Sequence, residues 1–455
     1  MASFQDLTAE LVDLVVFHFD GPSLCAFRLT SHEGYERSYR EYARRIAEVR
    51  WLVTPHSLDA LHKVSQDDRL ARKIRTLRLG MHYLEYAGPS QTSTEELHDA
   101  EGDADACLAV AKRRQRYTEY LEAQDAFRHG DDLAMLTSTL SRLHSVDRIE
   151  VGELYGGSMD QYTPCYGMKT LEKQTGMHYH SISNLDQSMG DNEDGLAHDF
   201  KIVLQALALL RKPIKELLVF RSHFNRQPGG LGGLHVSRMP ALEGCFADGL
   251  KAAFSHLRSL KMLLQHWEGE PRVRETWSRW LPDFLALMPT LQHASLTFEG
   301  LMMRDSPRSH SVQAFETLAQ RATMPHLTKL ELGNCCVTPE GIRNLLNRHS
   351  ETLTNISLNR VFLIRGAWRK DVFGELKRSI GAFKVAWLME ASSWLSRRDR
   401  VVFFSDKGLD GCEQCRRNVR RLAMEVDEHI SKTLTREEER GEVEFKYRRV
   451  EDFNR

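Results

Sequence analysis

One short pattern occurs twice between Met324 and Leu358, and it constrains the fold more than any other feature of this chain. In Leu327-Thr-Lys-Leu330-Glu-Leu332 and Leu353-Thr-Asn-Ile356-Ser-Leu358, apolar residues occupy positions one, four and six. Leu330 and Ile356 are 26 residues apart, and Thr338–Leu346 between them has the spacing of a short amphipathic helix. A strand–helix unit of this size cannot bury its own apolar face, so it stacks on neighbours and builds a solenoid. The parallel strands of such a solenoid need right-handed crossovers, which the helices supply. Surfaces of this kind serve recognition of macromolecules.

Further candidate strands lie at Ile74–Leu79, Val146–Val151, Ile214–Val219, Leu257–Leu264 and Leu291–Phe298. Leu217 to Leu260 spans 43 residues, Leu260 to Ala294 spans 34 and Ala294 to Leu330 spans 36. Intervals that long hold a helix plus extra loop. Two insertions interrupt the series, at 88–130 and 155–195. The first opens with the acidic stretch Gly88–Asp105, read as a partly disordered surface loop, and continues as a charged helix over Cys107–Phe127. Beyond Ile380 the repeats fade, and Val401–Phe404 reads as a strand, Glu413–Leu434 as a helix and Glu444–Arg449 as an alternating strand or tail.

Residues 1–50 read as three short helices. Thr8 is placed to cap the first, whose apolar residues are Leu7, Leu11, Leu14, Val15 and Phe19. Asp20-Gly21-Pro22 breaks it, and Pro22 suits the start of the second, which carries Leu24, Phe27 and Leu29. The third covers Gly34–Val49, with Tyr35, Tyr39, Tyr42 and Ile46 inward and Arg37, Arg40, Arg44 and Arg45 outward.

Through Phe4, Leu7, Glu10-Leu11, Val15, Leu24 and Arg28-Leu29-Thr30-Ser31, this segment resembles the F-box, which docks substrate receptors onto the Skp-type adaptor of cullin-RING ubiquitin ligases. It departs from the family at Leu7-Thr8, where Leu-Pro is usual. The order that follows is similar to a fungal family of F-box proteins with divergent leucine-rich repeats. It runs through Arg50–Pro55, a helix near Ser57–Val64, Ile74–Leu79, Leu204–Leu207, Pro213–Leu217, Leu257–Leu260 and Leu353–Trp368. The expected fold class is therefore α/β. A small all-α F-box-like unit (1–50) precedes an irregular leucine-rich-repeat solenoid (51–379) and a C-terminal helical and strand cap or tail (380–455).

Composition bounds the alternatives. Hydrophobic residues make up 41% and charged residues 27%, ordinary for a globular protein, and the net charge of −1 predicts no global attraction to nucleic acid or anionic membrane. The eight cysteines are too scattered for a small secreted disulfide framework, and the apolar run Ile202–Leu210 falls short of the roughly 20 residues that span a bilayer. Met1–Asp20 has no basic segment of a signal peptide, so the expected location is cytoplasmic or nuclear.

No constellation points to bond chemistry. Cys412-Glu-Gln-Cys415 has no second pair to complete a zinc tetrahedron, and His178-Tyr-His180 reads as a polar surface loop. Gly229–Gly233 has neither the Lys-Ser/Thr of a phosphate loop nor dinucleotide-binding spacing, and Arg416–Arg421 reads as a solvated helix face beside Glu425. No catalytic, cofactor-binding or metal site is assigned, and an enzyme is not expected. The resemblance implies a substrate-recognition subunit whose adaptor contacts are Phe4, Leu7, Leu11, Val15, Leu24 and Phe27. Its expected partners are that adaptor, through it a cullin, and a protein target held by the repeats, without nucleic acid or membrane. A non-degradative scaffold with a vestigial F-box is the alternative.

Overall fold

A computed structural model describes residues 7–80, 103–153, 165–175, 192–221, 234–236, 239–265, 271–299, 308–363, 372 and 382–390. The chain divides into two compact units, Met1–Phe224 with Glu243–Ala253, and Asn225–Leu242 with Phe254–Arg455.

The first unit begins with α1 (Ala9–Phe17), α2 (Gly21–Thr30), α3 (His32–Arg37) and α4 (Tyr39–Glu48). It continues through β1 (Arg50–Leu52), α5 (Pro55–Gln66), α6 (Asp68–Ala71), β2 (Thr76–Gly80), α7 (Ala104–Arg128), α8 (Asp131–Arg142) and β3 (Arg148–Glu153). The remaining elements are β4 (Cys165–Tyr166), α9 (Met168–Thr175), α10 (Asn192–Leu210), β5 (Glu216–Arg221) and α11 (Gly244–Ala253). Its strands lie in the order β4, β1, β2, β3, β5, all parallel. The second unit comprises β6 (Leu234–His235), β7 (Ser259–Gln265), α12 (Pro271–Ala286), β8 (His293–Glu299), α13 (Arg308–Arg321) and β9 (Lys329–Gly333). There follow β10 (Cys336–Val337), α14 (Pro339–Arg348), β11 (Asn355–Leu363) and β12 (Ala382–Glu390). Here β7, β8, β9 and β11 pair in sequence order, again parallel; β6 joins β7, and β10 and β12 join β11.

The repeated pattern is in register. Leu330 lies opposite Ile356, and Leu332 opposite Leu358. The same two rows continue through Leu260, Ala294 and Leu330, and through Met262, Leu296 and Leu332. In the first unit the matching rows are Leu77, Ile149, Leu217 and Leu79, Val151, Val219. All of these side chains are buried, as expected of strands whose apolar residues face crossover helices. The seven expected strands are all present, each beginning two residues after the pattern's first apolar position. That offset has a cause. At several steps one backbone carbonyl accepts from two successive amides of the next repeat: Arg75 from Asp147 and Arg148, Gln292 from Thr328 and Lys329, Thr328 from Thr354 and Asn355. The first apolar residue thus closes the preceding turn, and the ladder starts after it.

Helix starts follow local chemistry. Thr54-Pro55 and Thr338-Pro339 open α5 and α14 alike, with each threonine hydroxyl accepting from an amide three residues on, that of Ser57 at 3.4 Å and of Gly341 at 3.0 Å. Asp20 caps α2 through the Ser23 amide at 2.8 Å.

Several expectations need correction. The N-terminal segment has four helices, because the third breaks at Ser38. Its buried hydroxyl donates to the Gly34 carbonyl at 2.6 Å and the Tyr35 carbonyl at 3.3 Å, competing with the helix's own bonds. Thr8 sits at the start of α1 with extended backbone but makes no capping bond. Of the apolar residues of α1, Val12 and Val16 are the fully buried ones, packed with Leu24, whereas Leu11, Leu14 and Val15 face outward. The expected features at 88–102, 176–191 and 391–455, and residue Phe4, lie outside the described residues.

Candidate protein-docking face

The N-terminal helices form a small body with its own core. Val12, Val16 and Leu24 are enclosed, with Leu7, Phe19, Phe27 and Tyr42 packed around them. Because α1 turns about 100° per residue, Val12 and Val16 point inward, Leu14 points the opposite way, and Leu11 and Val15 lie between them on one flank. Leu11 is 47% exposed, Leu14 59%, Val15 41% and Phe17 56%, and Leu29 on α2 is 87% exposed. Four large apolar side chains on one nine-residue helix, all open to solvent, are unusual for a helix that already has a buried side, and such faces mark protein contacts.

The expected contact residues are thus divided. Leu11 and Val15 belong to the outer face, Leu7 and Phe27 are half-buried, and Leu24 is inside the core, where it supports α1 from behind. Leu14 lies beside Leu11, and Phe17 lies beside Leu14 on the far flank of the same exposed side. The 3.6-residue period of α1 already separates these two sides.

Charge organises the body. Arg28 is buried, its guanidinium carbon 4.0 Å from the ring centroids of both Tyr35 and Tyr42 and 5.9 Å from that of Tyr39. It donates to the Tyr35 carbonyl at 3.1 Å, so one cation ties α2 to α3 and α4. Glu41 is buried too, bonded twice by Arg44 at 2.7 and 2.8 Å and once by Arg45 at 2.7 Å. The Arg44 guanidinium, with Arg45 beside it, lowers its carboxyl pKa to about 2.

A second polar cluster lies on the strands of the first unit. Buried Glu150 is met by Arg148 at 2.7 Å, Arg78 at 3.2 Å and Arg50 at 3.4 Å, and Arg148 also reaches Glu216 at 3.0 Å. Arg78 further donates to the Ala47 carbonyl at the end of α4, tying the helical body to β2. In the second unit His293 Nε2 lies 3.4 Å from Glu331 and Lys329 pairs with it at 2.5 Å, and these neighbours hold its carboxyl far below the usual range. In both clusters the carboxylates are engaged by cations of the same chain, which fits cross-strand bracing.

Among the described residues no group of three or more His, Cys, Asp or Glu side chains could hold a metal ion, and no helix is long and apolar enough to cross a membrane. Cys412, Cys415, His178, His180, Gly229–Gly233 and Arg416–Arg421 lie outside the described residues. The strands and helices define an α/β protein built on parallel pairing. No family model matches the chain, and no curated protein matches it.

Proposed function

We propose that this protein is a substrate-recognition subunit of a Skp–cullin–F-box type ubiquitin ligase. The observation that carries the reading is the outer face of α1, where Leu11, Leu14, Val15 and Phe17 are exposed on a helical body that already has its own core. Its place at the head of parallel strand–helix repeats fits the F-box resemblance of residues 4–31. In this reading the Skp-type adaptor covers the outer face, and the repeats hold a protein target near the ubiquitin-charged enzyme. The mechanism is proximity: the receptor raises the effective concentration of one partner near the other and makes or breaks no bond itself.

Affinity purification of the full chain, beside a form lacking residues 1–49, tests this. Recovery of adaptor and cullin with the full chain alone supports the reading. Recovery of other proteins by both forms, with adaptor in neither, would favour the non-degradative scaffold.

A further inference from the structure

Arg37, Arg40, Arg44 and Arg45, read from sequence as outward, contact α1 from end to end; Arg40 and Arg44 are exposed, and Arg37 and Arg45 are half-buried. Arg37 donates to the Leu7 carbonyl at 2.9 Å, just ahead of the helix. Arg40 pairs with Asp13 at 3.1 Å, and the Arg44 guanidinium carbon lies 5.7 Å from the Phe17 ring centroid. Arg45 donates to the carbonyls of Phe17 at 3.0 Å and Val16 at 3.5 Å. Both carbonyls lie in the last turn, where a cation is favourable; that of Val16 also accepts from the Phe19 amide at 3.2 Å.

The helix needs such support. It has nine residues, too few to be stable alone in water, its N-terminal threonine makes no capping bond, and no basic residue of its own lies in its last turn. Arg45 is aimed at those carbonyls by Glu41, which also holds Arg44 through two bonds.

We propose that Glu41 is a positioning residue for the docking face: by orienting Arg45 it fixes the last turn of α1, and with it the geometry in which Leu14, Val15 and Phe17 meet a partner. An apolar contact surface loses affinity when it must be ordered on binding, so a fixed helix is worth more than the exposed side chains alone. The docking consequence rests on the function proposed above; the fixing of α1 does not.

Hydrogen exchange of the full chain tests the fixing directly, and capture of recombinant Skp-type adaptor tests its consequence. In Glu41→Gln the amides of α1 should exchange about tenfold faster or more, while α14 and β9 are unchanged and adaptor capture falls. Glu48→Gln removes only an exposed partner of Arg44, at 2.9 Å, and should leave α1 as in the parent. Arg45→Lys keeps the charge but cannot reach both Glu41 and the two carbonyls, so it should speed α1 and spare α2. Unchanged α1 exchange in Glu41→Gln, an equal effect of Glu48→Gln, or α1 and α2 loosening together in both Glu41→Gln and Arg45→Lys would overturn the proposal. Failure of the parent chain to capture adaptor would overturn the docking reading and not the fixing of α1, which the exchange decides.

Discussion

The guanidinium of Arg28 lies over the ring of Tyr42, 4.0 Å from its centroid, inside the N-terminal helical body. Tyr35 stands at the same distance, so the cation is held by two rings and by the Tyr35 carbonyl. Replacing Arg28 by Met keeps much of the volume but removes the charge–ring contacts and leaves that carbonyl without this donor. The expected loss is about 2–3 kcal/mol in the helical body. Arg28→Lys should recover only part of it, because an ammonium cannot lie flat between two rings. Hydrogen exchange over α2 and α3 reads the effect.

Gly152 has φ +112°, and a Cβ there would come within 1.7 Å of the Phe220 carbonyl oxygen. Gly130 also has positive φ, +135°, but nothing lies within 4 Å of its would-be Cβ. Both alanine variants carry backbone strain; only Gly152→Ala also forces β3 away from β5. Gly152→Ala should therefore lower the denaturation midpoint well beyond Gly130→Ala. Equal losses would mean that the β3–β5 pairing yields without cost.

His349 is buried and neutral in function: its Nδ1–H donates to the Leu345 carbonyl at 2.9 Å, and its Nε2 accepts from the Met324 amide at 3.3 Å. Burial lowers its pKa below the ordinary value. Well above pH 6.5 the ring is uncharged in both folded and unfolded chains, and the full stability is present. As pH falls below that, the unfolded chain takes up the proton first, so stability is lost progressively towards the folded-state pKa. The advantage of the parent over His349→Gln, read by urea denaturation, should shrink between pH 7.5 and pH 5.5. An advantage that grows with acidity would contradict the assignment.

The strands were legible because their chemistry is local. Leu327, Leu330 and Leu332 mark one strand by spacing alone, and the same spacing found the other six. Two-residue strands such as Cys165–Tyr166 and Cys336–Val337 carry no period and exist only because a neighbouring strand pairs with them. The break at Ser38 has no Gly or Pro to announce it; a buried hydroxyl makes it. Charges misled most. Arg45 reads as outward in sequence because its partners, Val16 and Phe17, lie 29 and 28 residues away, and Glu150 meets Arg50 across 100 residues. Within α1, residue type marked the docking face as apolar, but only the packing of Val12 and Val16 showed which side is spent on the core.

Binding of a Skp-type adaptor at the outer face of α1 is tested by the double variant Leu11→Asp, Val15→Asp. Both side chains are exposed in the chain by itself, so the charges stay solvated and the fold should persist, with unchanged circular dichroism and melting. At a covered apolar contact each buried charge costs several kcal/mol, enough to abolish capture. Purified parent chain should retain recombinant adaptor, and the double variant should retain none. Retention of adaptor by the double variant at the parent's level would contradict binding at that face.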